Sequence, residues 1–146
     1  MAPFTEKRFI EPRTIGPERK DQLLKIITDR LRRMPEIEFA YVHGSFATSG
    51  PFRDIDVAVY TNEERGFAFE SDLSYELSSL TGYEVEVKVI NHAPVAFQMA
   101  PLSHGKLLLS VHEAVRTDFI ENTGRRYREY AHFRNVFMEA IGGRKK

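Results

Sequence analysis

The chain has 146 residues, the size of one ordinary domain with a core of its own, so a single domain is the default. Its 21 lysines and arginines equal its 21 aspartates and glutamates, so no overall field favours nucleic acid or a membrane surface, and any phosphate recognition must be local. The sequence contains no cysteine, which excludes disulfides and thiolate chemistry. No run approaches the length of a membrane span and the opening residues lack the apolar stretch of a signal peptide, so a cytoplasmic location is expected.

Residues 1–15 mix prolines with charges and show no periodicity. They read as an extended arm, disordered or laid on a partner, ahead of a single domain over residues 16–146. From Pro17 the apolar positions Leu23, Leu24, Ile27, Leu31 and Met34 recur at helical spacing until Pro35 stops the run. Residues 36–43 then alternate, with Ile37, Phe39 and Tyr41 on one side, and lead as a strand into Gly44 and Ser45. A short helix is predicted near Ser45. Gly50 and Pro51 break the chain, and a second strand follows over residues 54–60, with Ile55, Val57 and Val59 on one face and Asp54 and Asp56 on the other.

A second helix is predicted over residues 62–80, closed by Gly82 in a left-handed position. Residues 83–90 alternate again, setting Tyr83, Val85, Val87 and Val89 against Glu84, Glu86 and Lys88. A short helix over residues 94–99, a turn at His104 and Gly105, and a strand over residues 106–110 come next. Residues 113–141 form a long helix rich in arginine and tyrosine, with a break near Gly124. There is no internal repeat. This order predicts an α/β (α+β) fold, a mixed sheet of about four strands with helices packed mainly on one face.

Two aspartates one residue apart on a strand point to the same side and offer hard oxygen ligands to Mg²⁺. Nucleotidyl transfer needs such ligands to neutralise a triphosphate, together with a means of placing the attacking hydroxyl in line with the leaving pyrophosphate. Asp54 and Asp56 supply the ligands. Backbone amides around Gly44 to Phe46 can take phosphate oxygens at the start of a helix, and the Ser45 hydroxyl adds a donor. Glycine is needed there because a Cβ would obstruct the approach. The polar face of the third strand offers Glu86 or Glu84 as a third carboxylate, to complete a metal site or accept the hydroxyl proton; Glu86 is the choice. Taken singly, an Asp-x-Asp on a half-exposed strand is ordinarily a solvated face. Arg53 and Lys88 either contact the triphosphate or neutralise the acidic cluster. His43 reads as a strand-end residue.

The passage GSFATSGPFRDIDVAVY resembles the signature of the polymerase-beta nucleotidyltransferase superfamily, specifically its minimal nucleotidyltransferase (MNT) members. Residues 85–110, VEVKVINHAPVAFQMAPLSHGKLLLS, are similar to that family's third-carboxylate strand, the Asn-x-Ala-Pro turn and helix, and a short strand after a glycine. The ending FIENTGRRYREYAHFRNVFMEAI is similar to its C-terminal helix. The resemblance implies a polymerase-beta-like fold in which Gly44, Ser45 and Arg53 bind the nucleotide and Asp54, Asp56 and Glu86 are catalytic and hold Mg²⁺, one ion or two. It implies transfer of AMP from ATP to a hydroxyl, with a tyrosine of a HEPN-domain toxin as acceptor and partner and this chain as the antitoxin. Alternatives are a degenerate site that neutralises the partner by binding alone, and transfer to a small molecule. The departures from the family are a shorter spacer between Ser45 and Asp54, arginine at position 53, and glutamate at position 86 with Lys88 on the same face. Arg125, Arg126 and His132 echo the spacing of HEPN ribonucleases and are read as chance.

Overall fold

A computed structural model describes residues 11–142 of the chain; the first ten residues of the expected arm lie outside them. The end of that arm is pinned to the body, since Arg13 and Phe52 exchange both backbone hydrogen bonds at 2.8 and 2.9 Å. The elements then run α1 (Pro17–Arg32), β1 (Ile37–His43), β2 (Ile55–Thr61), α2 (Phe67–Thr81), β3 (Val85–Val89), α3 (Val95–His104), β4 (Lys106–Ser110) and α4 (Glu113–Ala140). The four strands form one sheet in the order β3-β2-β1-β4. β1 pairs antiparallel with β2 and β4, whereas β2 and β3 are parallel because α2 carries the chain back between them.

The alternation read in the strands sorts side chains onto two faces. On one, Leu23, Ile27 and Leu31 of α1 and Leu73 and Leu77 of α2 pack on Ala40, Val42, Ile55, Val57, Val59, Val85 and Val87. Burial of each large aliphatic side chain there contributes about 1.5–3 kcal/mol. The other face carries a smaller cluster in which Phe39, Tyr41 and Ala58 meet Phe119 of α4, with Leu102 of α3 against it. Helices therefore lie on both faces, α1 and α2 over the larger cluster and α3 and α4 over the smaller. This second layer is tied in by Gln98, which is buried. Its amide donates to the carbonyls of Ile90 at 2.8 Å and Asn91 at 3.1 Å and accepts from Arg126 at 2.8 Å.

The strands shift by at most two residues from the sequence reading, and three helices differ more. α2 begins at Phe67, after Gly66, rather than at residue 62; Asn91 holds the end of β2 instead, bonding the Thr61 amide at 3.0 Å and carbonyl at 2.7 Å. α3 runs on to His104 with Pro101 inside it. α4 passes Gly124 unbroken, since a glycine costs a helix only about 1 kcal/mol and Phe119 and Thr123 are buried just before it. The left-handed glycine expected at position 82 is found, with φ 80°.

β3 is an edge strand. The amides of Val85, Val87 and Val89 point away from β2, and each is met by a side chain of α2: Ser78 Oγ at 2.9 Å, Ser74 Oγ at 2.8 Å and Glu70 Oε2 at 2.7 Å. Three polar residues spaced four apart thus form one stripe facing the strand, and they close an edge that would otherwise be open to another chain.

Candidate active site

The register of the sheet builds the site. His43 of β1 lies opposite Asp56 of β2, and Asp56 lies beside Glu86 of β3, so one cross-strand row carries all three on the face of the smaller cluster. Asp54 sits just before β2, where the Ile55 amide bonds the Glu84 carbonyl at 2.8 Å and starts the parallel pairing. Asp54, Asp56 and Glu86 each bring a carboxylate oxygen to within 4.8 Å of the other two. Asp54 is buried, with 7 % exposure, while Asp56 and Glu86 are half-buried.

Three anionic groups so close repel one another unless a cation lies among them. Their converging hard oxygen donors fit Mg²⁺. Lys88, one step along the same face, approaches Glu86 at 3.9 Å and is itself largely exposed, so it screens the cluster weakly and leaves the row accessible. Burial lowers the pKa of His43 below its ordinary value, with the charges of Glu86 and Asp54 acting against that shift.

β1 ends in Gly44, which has φ 76°, a conformation that favours glycine. A Cβ there would also collide with the Asp56 carboxylate. The glycine expected for close approach of a phosphate is therefore required first by the aspartate packed against it. Ser45 to Ala47 form a single 3-10 turn, in which the Ala47 amide bonds the Gly44 carbonyl and the Thr48 amide bonds the Ser45 carbonyl. The amides at the head of such a turn have no acceptor within it. Gly44 and Ser45 are exposed at the end of the sheet, and Arg53 is exposed immediately before Asp54.

The shortened loop between Ser45 and Asp54 is anchored by rings rather than by length. Phe46 and Phe52 are both buried and pack edge to face at 4.7 Å between centroids, with Tyr83 at 5.6 Å from Phe52. Lys20 of α1 holds the turn from behind, donating to the Thr48 carbonyl and lying 4.9 Å from the Phe46 ring centroid. Sequence reasoning missed Lys20, whose only signal was a lysine near the exposed start of α1. Arg126, noted for its spacing to His132, serves the fold through Gln98.

The family model for polymerase beta, nucleotidyltransferase, matches residues 25–114, which contain the turn, the three carboxylates and all four strands. No curated relative matches the chain by sequence. Among solved structures, the chain is similar to the MNT antitoxin in complex with tri-AMPylated HEPN toxin of Shewanella oneidensis, with TM-score 0.65 and 18 % identity over 85 % of this chain and 96 % of that one. It is likewise similar to a chain of the toxin-antitoxin MntA-HepT, with TM-score 0.65 and 17 % identity over 86 % and 98 %. A toxin-antitoxin structure with AMP-PNP gives TM-score 0.66 and 19 % identity over 87 % and 98 %. At these identities the likeness establishes the fold. With the family model spanning the whole carboxylate row, the chain belongs to the polymerase beta nucleotidyltransferase family.

Proposed function

We propose that this chain is a Mg²⁺-dependent nucleotidyltransferase of the cytoplasm, carried by one domain over residues 16–146, that moves AMP from ATP to a tyrosine hydroxyl of a HEPN-domain toxin and thereby acts as its antitoxin. The observation that carries the reading is the convergence of Asp54, Asp56 and Glu86 within 4.8 Å, one strand away from the exposed Gly44–Ser45 turn. It is supported by solved proteins of the same fold, one found with a tri-AMPylated HEPN toxin and one with AMP-PNP.

The roles follow from position. The turn at Gly44 and Ser45 receives the β- and γ-phosphates through its leading amides and the Ser45 hydroxyl, and Arg53 adds a charge from the loop. Asp54, Asp56 and Glu86 hold Mg²⁺, which when bound neutralises the triphosphate and polarises the α-phosphate. The acceptor hydroxyl loses its proton to the Glu86 carboxylate as its oxygen bonds the α-phosphorus, and the bond from that phosphorus to pyrophosphate breaks.

Purified protein with Mg²⁺-ATP is expected to add AMP to tyrosine of its HEPN partner, read by intact mass. Asp54→Asn and Asp56→Asn each lower the rate by on the order of a thousandfold, since each removes a charge that stabilises the transition state by several kcal/mol. A partner that gains no mass while ATP is bound would sink the reading. Neutralisation of the toxin that survives both substitutions would establish inhibition by contact alone.

A further inference from the structure

Among the described residues, only the first half of α4 is covered by other elements. Phe119 meets the aromatic cluster of the sheet, Thr123 is fully buried, and Arg126 donates to Gln98 of α3. At 3.6 residues per turn, the face carrying these three side chains continues through Tyr130, Phe133 and Phe137 to Ile141 at the helix end. The continuation runs in solvent, since those four side chains are between 42 % and 67 % exposed. Phe133 stacks on Phe137 at 6.2 Å between centroids, and the Arg134 guanidinium lies 5.9 Å from the centre of the Tyr130 ring. From Phe119 to Phe137 the steps alternate four, three, four, three, four, which is the spacing of a seam that a second helix fills. Its open part is about 16 Å long at 1.5 Å per residue, and such a run of large apolar side chains marks an interaction surface.

We infer that the seam from Tyr130 to Ile141 docks a helix of a different protein, one with an apolar face and a carboxylate placed against Arg134. On the transfer reading above, which supplies the partner and not the surface, that protein is the HEPN-domain acceptor. A second copy of this chain does not fit. In a parallel pair, each copy's sheet and α3 lie on the seam side ahead of Tyr130, so the two bodies compete for the same space. In an antiparallel pair about the middle of the seam, like flanks meet. The two Arg134 side chains then stand on one flank about 4.5 Å apart along the axis, three residues at 1.5 Å, and like charges that close oppose the pairing. The charge of the segment selects the same kind of partner. Residues 125–141 hold four arginines against two glutamates, so an acidic rim around the apolar strip is complementary. Recognition between helices reads anchors three and four residues apart, and Phe133 and Phe137 are the central ones here. None of the seam residues belongs to the nucleotide or metal site, so docking and transfer are separable by substitution.

The probe is the HEPN-domain protein, titrated without ATP so that binding is read apart from turnover. Phe133→Ser and Phe137→Ser remove exposed rings, and each is expected to weaken binding at least about tenfold. Val136→Ser is the control: Val136 is exposed but lies about 100° around the helix from Phe137, and its loss should move affinity less than about twofold. Arg134→Glu is expected to weaken binding about tenfold at low salt, with the difference shrinking as salt rises. Probe affinity within about twofold of wild type in both serine variants, with AMP still added, overturns the seam and leaves the transfer reading standing. Seam-dependent binding with no AMP added refutes the transfer and leaves the seam standing. A dimer of the isolated chain that Phe133→Ser dissociates, seen by sedimentation, would assign the seam to a second copy and overturn the inference. Protection of Tyr130 and Phe133 from radical footprinting in the isolated monomer would overturn it too, by assigning the seam to the chain's own terminal segment.

Discussion

One face of the sheet holds two rows of side chains with opposite character. At the end nearest Gly44 the row is His43, Asp56 and Glu86; two steps further in it contains Phe39 opposite Tyr60. Between them lie Tyr41, Ala58 and Lys88. The backbone pairing is continuous, so the difference comes from side chains and from what covers them. α4 lays Phe119 on the aromatic row, 5.5 Å from Phe39 and 5.1 Å from Tyr60 between ring centroids, and Phe39 stacks on Tyr60 at 5.0 Å. Its Arg116 then donates to the Tyr41 hydroxyl at 2.7 Å. A dry, packed row thus anchors the strands whose far ends hold a half-exposed acidic row. Stability and chemistry are separated by four residues along the same strands, about 13 Å at roughly 3.3 Å per residue.

The sharpest way to break that separation is at the aromatic end. Phe39 is fully buried, and Phe39→Ala is expected to cost about 3–5 kcal/mol of unfolding free energy, measured by urea denaturation. The fraction still folded should bind ATP as the native protein does. A loss below about 1 kcal/mol would mean that α4 is not held by this row.

At the acidic end the expected effect is smaller in stability and confined to chemistry. Gly44→Ala forces a side chain into φ 76°, worth about 1–2 kcal/mol, and drives its Cβ into the Asp56 carboxylate. Gly82→Ala is the matched control: it has φ 80° and open space around the added Cβ. The two variants should lose similar stability, while only Gly44→Ala loses transfer, on the order of a hundredfold, because a displacement of about 1 Å at the reacting groups costs that much. Equal transfer rates in the two variants would show that the glycine serves the backbone alone.

The acidic row was legible in the sequence and the aromatic row was not, and the reason is physical. Asp56 and Glu86 fall on successive strands of clean alternation, with Asp54 two residues ahead of Asp56, so parity puts them on one side; the parallel register that sets Asp56 beside Glu86 comes from the structure. Phe39, Tyr60 and Phe119 come from three distant segments, and nothing local says that Phe119 will cross the sheet at Tyr60. For the same reason, helices were expected mainly on one face. The stripe of Glu70, Ser74 and Ser78 on α2 looks like a solvated helix surface until the edge of β3 is placed beneath it. A break near Gly124 was expected from composition, and burial of Phe119 and Thr123 overrides it.

The opposite face supplies the smallest effect and a test of whether the two faces act independently. Arg30 of α1 forks onto Glu76 of α2, with Nε donating to Oε2 and Nη2 to Oε1, the latter at 3.0 Å. The hydrogen bond from Arg30 lowers the pKa of Glu76 from its ordinary 4.5. A carboxylate whose pKa is lower folded than unfolded stabilises the fold above the unfolded value, and that contribution fades as pH falls through the folded value. Glu76 is 44 % exposed, so solvent screening holds the coupling to about 1 kcal/mol or less. A double-mutant cycle of Arg30→Ala and Glu76→Gln should therefore return a small coupling at pH 7 that diminishes below pH 4.5. Because the pair sits over the larger core and away from both rows, Glu76→Gln should leave transfer at neutral pH within about twofold of wild type, the scatter expected of a surface change. A larger drop would mean that the tilt of α2 is felt at Glu86, and that the two faces are coupled through β3.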